Sequence, residues 1–413
     1  MSTDRLPLHD RLLVDCIHPD SAPEELRRRL ARTDAQTHAR FIESAFLQGV
    51  HPLLYRRLKE LKLLDTLDPL QKSLLTEGVM NYSLFLSHLS CNCREVLALF
   101  HDAGIDCIVL KGMHLSMLIY DNPADRMMSD LDLLVRQSDL LRAAELLAAR
   151  GIAPHDYKPV EAETAHCHHL VPFTTNRGNS LEIHWTLKLG IPIDLDGLWE
   201  RSVVEQADGV ELTVLSPEDF MLHLCLNATV PDFEVKLRTL CDLYRTVTRY
   251  GSRIDWSVVI ERAELWKVEK SLLLLLHATQ TLFGLHLPGW LFERVDIPEL
   301  REMERTMLQC MFSAQVQERN AVIMLMQLLR AGGLRAAVSL AWNKVFYPKE
   351  VIASMYRQSG ESSPAALYLL RTGKLLGRFS EALGHLILRP VSKNKELLTF
   401  DRSVERMKTW LHH

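Results

Sequence analysis

No CxxC pair occurs among the eight cysteines, which are scattered at Cys16, Cys91, Cys93, Cys107, Cys167, Cys225, Cys241 and Cys310. Cys107 lies inside an apolar strand pattern, so the set reads as reduced, cytosolic usage and not as a disulfide framework. Cys91-x-Cys93 falls in a helical pattern, where residues two apart do not share a face. Long apolar runs are missing too. Ser271–Leu287 is interrupted by His277, Thr279, Gln280 and Thr281, and Ala321–Trp342 by Arg330, Gly332, Gly333 and Arg335. Neither supplies the roughly 20 apolar residues of a membrane span, so buried helices are expected and no transmembrane segment. MSTDRLPLHDRLL at the start has no continuous apolar core of the signal-peptide kind, so a cytoplasmic location is expected. An excess of positive charge is also absent: 48 Lys/Arg stand against 52 Asp/Glu. No stable nucleic-acid binding is expected. The balance is uneven, because residues 331–413 hold 13 Lys/Arg and only 6 Asp/Glu. A solvated basic face is the expected use of that surplus. Internal repeats and low-complexity segments are absent.

What the chain has is helical periodicity around one short α/β stretch. Glu24–Ala31, His38–Phe46 and Leu53–Leu61 read as helices. Pro69–Phe100 carries Leu75, Val79, Tyr82, Leu86, Leu89, Cys93, Val96 and Leu97 at helical intervals, with Gly104 placed to end it. Ile105–Leu110 then reads as a strand, Lys111-Gly112 as a turn, Met113–Tyr120 as a helix, and Asp130–Val135 as a second strand. Ser138 is a plausible N-cap for a helix over Asp139–Arg150, with Gly151 at its C-terminal end. Leu170–Thr174 and Ser180–Thr186 read as strands joined across Asn176-Arg177-Gly178-Asn179. From Ser216, a cap ahead of Pro217, the pattern is helical again: Lys236–Tyr250, Trp256–Leu265, Lys267–Phe283, Arg301–Leu308, Met324–Trp342, Pro364–Leu383 and Ser403–Leu411. Gly360–Ser363 looks like a linker. Four regions are expected: a helical one over 1–100, an α/β core over 101–215, a helical domain over 216–330, and a basic helical one over 331–413.

The chemistry concentrates at Asp130-Leu131-Asp132. Alternate strand residues share a face, so both carboxylates look the same way, roughly 6.6 Å apart. Two acids at the rim of an apolar strand repel each other and lose solvation, which a divalent cation would relieve. Hard oxygen ligands suit Mg²⁺ or Mn²⁺. In Leu181-Glu182-Ile183-His184-Trp185, Glu182 and His184 share the face opposite the apolar residues. Glu182 is the candidate third acid, as ligand or proton acceptor, if its strand neighbours Asp132; a polar outer face is the plainer alternative. Lys111 and Gly112, between strand and helix, offer a charge and a close backbone approach to phosphate. Arg126 could clamp phosphate bidentately or pair with Asp121 or Asp125. His166-Cys167-His168-His169 lacks the spacing of a zinc site, so a structural or substrate-side role is expected. Asp242, on an apolar helix, could face the cleft or pair with Arg238 or Arg245.

These residues resemble a known family. Val109-Leu110-Lys111-Gly112, Leu115, Tyr120, Pro123, Arg126 and Asp130–Val135 match one block of the bacterial "uncharacterised nucleotidyltransferase" family, within the polymerase-β-like superfamily. His169 and Leu181–Trp185 match a second block, Asp242 an acid on a following helix, and Gly49–Tyr55 the N-terminal helices. The resemblance covers roughly residues 35–260. It implies an α+β fold, mostly α, with a small mixed sheet flanked by helical regions. It also implies a nucleoside triphosphate substrate, Mg²⁺ or Mn²⁺ held by Asp130, Asp132 and Glu182, and phosphate contacts from Lys111, Gly112 and Arg126. His169, His184 and Asp242 are then candidate nucleotide or acceptor contacts. The implied reaction transfers a nucleoside monophosphate to an acceptor and releases pyrophosphate. One departure stands out: Lys111-Gly112 replaces the superfamily's usual Gly-Ser. Two alternatives accompany this reading: a nucleotide-binding or regulatory protein without turnover, and, ranked lower, a DxD glycosyltransferase.

Overall fold

The computed structural model describes residues 6–154, 160–164, 167–230, 233, 235–312 and 402–411. Residues 1–312 with 410–413 form one compact unit and 313–409 a second; the site lies wholly in the first. The expected helices Met324–Trp342 and Pro364–Leu383, the Gly360–Ser363 linker and most of the basic region fall outside the described residues.

Five helices open the chain: α1 (Leu8–Ile17), α2 (Pro23–Ala31), α3 (Ala35–Leu47), α4 (His51–Glu60) and α5 (Pro69–Asp102). α5 starts where Asp68 accepts from the Leu70 N–H at 3.0 Å, with Pro69 at the first helical position. Its stripe of Leu75, Tyr82, Leu86, Leu89, Cys93, Val96 and Phe100 is buried. Gly104, at φ +61°, turns the chain out of the helix.

The sheet has seven strands: β1 (Cys107–Val109), β2 (Asp130–Val135), β3 (Ala153–Pro154), β4 (Phe173–Thr174), β5 (Ser180–His184), β6 (Val203–Ala207) and β7 (Val210–Val214). Their order is β3-β4-β5-β2-β1-β7-β6. β1 runs antiparallel to β2 and parallel to β7, and β2 runs parallel to β5. The fold is therefore α+β, mostly helical, with a mixed sheet. Leu131, Leu133, Val135, Leu181 and Ile183 point to one face and join the core with Val96 and Phe100 of α5. Leu140, Ala143 and Leu147 of α7 (Leu140–Ala149) close the same core. Each fully buried Leu, Ile, Val or Phe among them contributes about 1.5–3 kcal/mol. The opposite face carries the acids. Among the described residues no helix is long and apolar enough to cross a membrane.

Several elements depart from the sequence reading. The helix after β1 begins at Lys111, not Met113: α6 (Lys111–His114) passes directly into a π-turn over Leu115–Ile119. Ser138 caps nothing. It sits inside a 3₁₀ turn, Gln137–Asp139, that leads into α7. The strand expected over Leu170–Thr174 shrinks to β4, because His169 and Leu170 instead pair with His184 and Ile183 of β5. No element is read from the sequence over 187–215, yet α9 (Leu195–Glu200) and the β6–β7 hairpin lie there, after the short α8 (Val160–Thr164). The hairpin turns on Asp208-Gly209, at φ +48° and +74°. That dipeptide is a strong hairpin signal, and β7 behind it, Val210-Glu211-Leu212-Thr213-Val214, alternates apolar with polar residues. Ser216 does cap α10 (Pro217–Thr229), accepting from the Asp219 N–H at 3.3 Å. α11 (Leu237–Tyr250), α12 (Trp256–Leu265), α13 (Glu269–Phe283) and α14 (Ile297–Phe312) complete the described helices of this unit.

Candidate active site

Register places the acids. Parallel pairing of β2 with β5 sets Asp130 beside Ser180, Asp132 beside Glu182 and Leu134 beside His184. Directly paired residues share a sheet face, so Asp132, Glu182 and His184 converge there. Their ligand atoms lie within 4.8 Å of one another, a group that could hold a metal ion. His184 Nε2 lies 3.0 Å from Asp132 Oδ1 and 3.3 Å from Glu182 Oε2. Lys111 Nζ donates to the same Asp132 Oδ1 at 2.8 Å.

The electrostatics follow from burial and these neighbours. Asp132 is 2% exposed, and burial alone would raise its pKa. Lys111 and His184 overcome that and hold the carboxyl well below the usual range. At Asp130 the attraction of Lys111 and a hydrogen bond from Ser129 do not prevail. Burial, then repulsion from Asp132 and Glu182, pushes it up to about 6. Lys111 is opposed by its own burial, but Asp132, Glu182 and Asp130 keep its ammonium above the ordinary value. Lys111 also sits at φ +41°, a conformation that side-chain-bearing residues seldom adopt. Gly112 is required for packing: a Cβ there would come within 2.8 Å of the Met128 Cβ. A larger residue would push away the loop that delivers Ser129 and Asp130.

A family model described as "Uncharacterised nucleotidyltransferase" matches residues 34–284, more than half of the chain. The chain belongs to this family. The match supports a general nucleotidyltransferase function. No curated protein and no solved structure matches the chain. The nucleotidyltransferase match includes the whole acid group and the cleft next to it.

That cleft, about 250 Å³, is lined by Lys111, Gly112, Arg126, Asp130, Asp132 and Asp242, with Lys236, Arg238 and Asn227 opposite. Arg126 and Asp242 reach it already joined. Arg126 Nε donates to Asp242 Oδ1 at 2.9 Å and Nη2 donates to Oδ2 at 2.8 Å, while Tyr120 donates its hydroxyl to Oδ1 at 2.8 Å. The partner of Asp242 is thus Arg126, neither Arg238 nor Arg245. Asp125 instead pairs with Arg56 and Asp121 with Arg245. Two cleft cations escape a motif-based reading: exposed Lys236 and half-buried Arg238, whose Nη1 donates to the Met127 carbonyl at 2.9 Å. They lie a hundred residues from the DxD strand. A signal existed, because Arg238 and Asp242 stand four apart on one helix face.

His169 and His184 are brought together, with ring centroids 5.2 Å apart, and His168 stands 5.4 Å from His184. Burial, with the nearby His184, His169 and lysines, pushes the His168 imidazole down to about 3. His166 lies outside the described residues.

Proposed function

We propose that the protein is a metal-dependent nucleotidyltransferase that moves a nucleoside monophosphate from a nucleoside triphosphate to an acceptor hydroxyl or similar group, releasing pyrophosphate. The observation that carries this reading is the parallel register of β2 and β5, which pairs Asp132 with Glu182 beside a cationic cleft. The donor set fits a hard divalent ion. Asp130, Asp132 and Glu182 would hold Mg²⁺ or Mn²⁺ through carboxylate oxygens. His184 is the geometric rival to Asp130 as third ligand, and its other nitrogen argues against that role. Nδ1 is buried without a hydrogen-bond partner, whereas metal-ligating histidines almost always donate that N–H onward. Its Nε2, facing two carboxylates, is the nitrogen that carries the hydrogen. His184 is thus a positioning residue that orients Asp132.

When bound, the metal supplies charge neutralisation and activation for in-line displacement at the α-phosphorus. The chain's own groups do the rest. Lys111, Lys236 and Arg238 line the cleft and bind the phosphates. Arg126, already paired with Asp242, fixes the loop carrying Ser129 and Asp130. One of the three carboxylates takes the acceptor's proton, through an oxygen that does not hold the metal. Lys111 stands in for the hydroxyl of the superfamily's Gly-Ser turn.

The Lys111–Asp132 pair favours a second reading, in which nucleotide binds without turnover. One experiment separates the two. Each α-labelled nucleoside triphosphate is incubated with Mg²⁺ or Mn²⁺ and pooled sugar, peptide and small-molecule acceptors, and both pyrophosphate and labelled product are followed. Label transfer that disappears in Asp132→Asn supports the transferase. Nucleotide binding without pyrophosphate in any pool sinks it in favour of the binding protein.

A further inference from the structure

A second cavity, independent of the proposed reaction, lies on the other side of α11. Its volume is about 540 Å³, roughly twice that of the cleft and within the range of small-molecule sites. Tyr120 separates the two. Its hydroxyl donates to Asp242 on the cleft side, and the Arg245 guanidinium lies over its ring, 4.7 Å from the centroid, on the cavity side.

The floor of this cavity is apolar and the rim is cationic. Ile17 of α1, Leu53 of α4, Ile119 of the π-turn and Phe283 of α13 line it, each at most 6% exposed. Arg56, Arg57, Arg245 and Arg249 surround the opening. Two exposed rim carboxylates oppose them, Glu60 and Asp121. Arg56 and Arg57 share Glu60 at 3.2 and 3.4 Å, and Arg245 approaches Asp121 only to 3.7 Å. Arg249 has no carboxylate within ion-pair distance among the described residues. Asp125, buried behind Arg56, takes one further share of charge. Four guanidiniums over two exposed carboxylates leave the mouth positive.

We propose that this cavity binds a small amphipathic organic anion, with an apolar body on the Leu53–Phe283 floor and a carboxylate, sulfonate or phosphate head at the arginine rim. An inorganic ion would leave the floor uncovered, and a neutral apolar molecule would leave the surplus positive charge at Arg249 unmatched. Guanidinium forks match planar and tetrahedral oxyanions. The floor is drawn from four separate elements, so the pocket exists before any ligand arrives.

The test uses the full chain and two aromatic probes of similar body, anionic 8-anilinonaphthalene-1-sulfonate and neutral N-phenyl-1-naphthylamine, at low ionic strength. The anion is expected to bind at one site, about tenfold more tightly than the neutral probe. Arg249→Glu and Thr248→Trp change exposed rim positions and leave the fold's circular dichroism unaltered. Each is expected to weaken anion binding by about fivefold or more, through charge and obstruction respectively, and Arg249→Lys to keep it within about twofold. Equal binding of the two probes, or anion binding untouched by both Arg249→Glu and Thr248→Trp, overturns the proposal. So does a protein that ignores the free anion but sediments with phosphatidylglycerol vesicles, since that assigns the rim to a membrane surface.

Discussion

Replacing Asp242 by Asn tests whether Arg126 is a structural cation or a free phosphate clamp. Arg126 is 8% exposed and Asp242 3%, and they share the bidentate contact at 2.8–2.9 Å. Taking the charge from one member of a buried pair leaves the other uncompensated, a loss of about 3–5 kcal/mol. Asn keeps an oxygen for the Tyr120 hydroxyl but turns an amide N–H toward Arg126, so Asp242→Asn removes the charge together with the Nη2 hydrogen bond. Asp242→Ala also strands the hydroxyl, adding about 1–3 kcal/mol. Removing both charges in Arg126→Met/Asp242→Leu leaves no buried ion and lands closer to wild type than either single change. Urea unfolding of the four proteins at pH 7.5, followed by tryptophan fluorescence, reads these differences as midpoints at constant slope. A loss under about 1 kcal/mol for Asp242→Asn, or a double variant less stable than both Asp242 variants, would refute the locked pair. Arg126 would then be free to serve the nucleotide.

Three further outcomes are expected. Mn²⁺ bound to the protein shows carboxylate but no directly coordinated nitrogen by pulsed electron paramagnetic resonance, and His184→Gln keeps Mn²⁺ affinity within about tenfold; a ¹⁴N coupling lost in His184→Gln would make His184 a ligand. Gly112→Ala forces a Cβ to 2.8 Å from Met128 and costs about 1–3 kcal/mol by overpacking; thermal unfolding checks this, and a variant as stable as wild type would mean that the loop yields freely. His51, 4% exposed, is pushed down to about 4 by burial, below its unfolded value of 6.5. The unfolded chain binds the extra proton between those values, so the stabilisation is complete above pH 6.5. It is lost as pH falls toward 4, by up to about 3 kcal/mol. Urea midpoints across pH 4–7 should flatten in His51→Phe, and an unchanged slope would remove His51 as the cause.

The acidic side of the site is more legible in the sequence than its surroundings. Asp130–Val135 and Ser180–His184 are legible because polar residues alternate with leucine or isoleucine over Asp130–Leu133 and Ser180–His184. Their pairing was not legible: nothing local in either strand says that β5 lies beside β2. Glu182 was therefore a candidate only on condition of that neighbour. The Arg126–Asp242 pair was hidden for the same reason, since more than a hundred residues separate its members and each had nearer partners of opposite sign. Lys111 is a phosphate-side candidate from its position in the turn, and it lines the cleft. Only the structure shows its ammonium directed back at Asp132. Lys236 and Arg238 could not be told from any other cations at a helix start until α11 was seen over the cleft.

The strand order also sets when the site can exist. β1 is flanked by β2 and by β7, whose contact is Val109 with Val214. On a chain made from the N-terminus, α1–α5 can fold early from local contacts, but β1 keeps one bare edge until residue 214 has been synthesised. Glu182 joins Asp132 only as β5 closes the other side. Such non-local parallel pairings form slowly, and an unpaired apolar edge invites foreign strands meanwhile. The acids thus meet across the β2–β5 seam, which can close once residue 184 is made, while the β1 edge next to it still waits for β7.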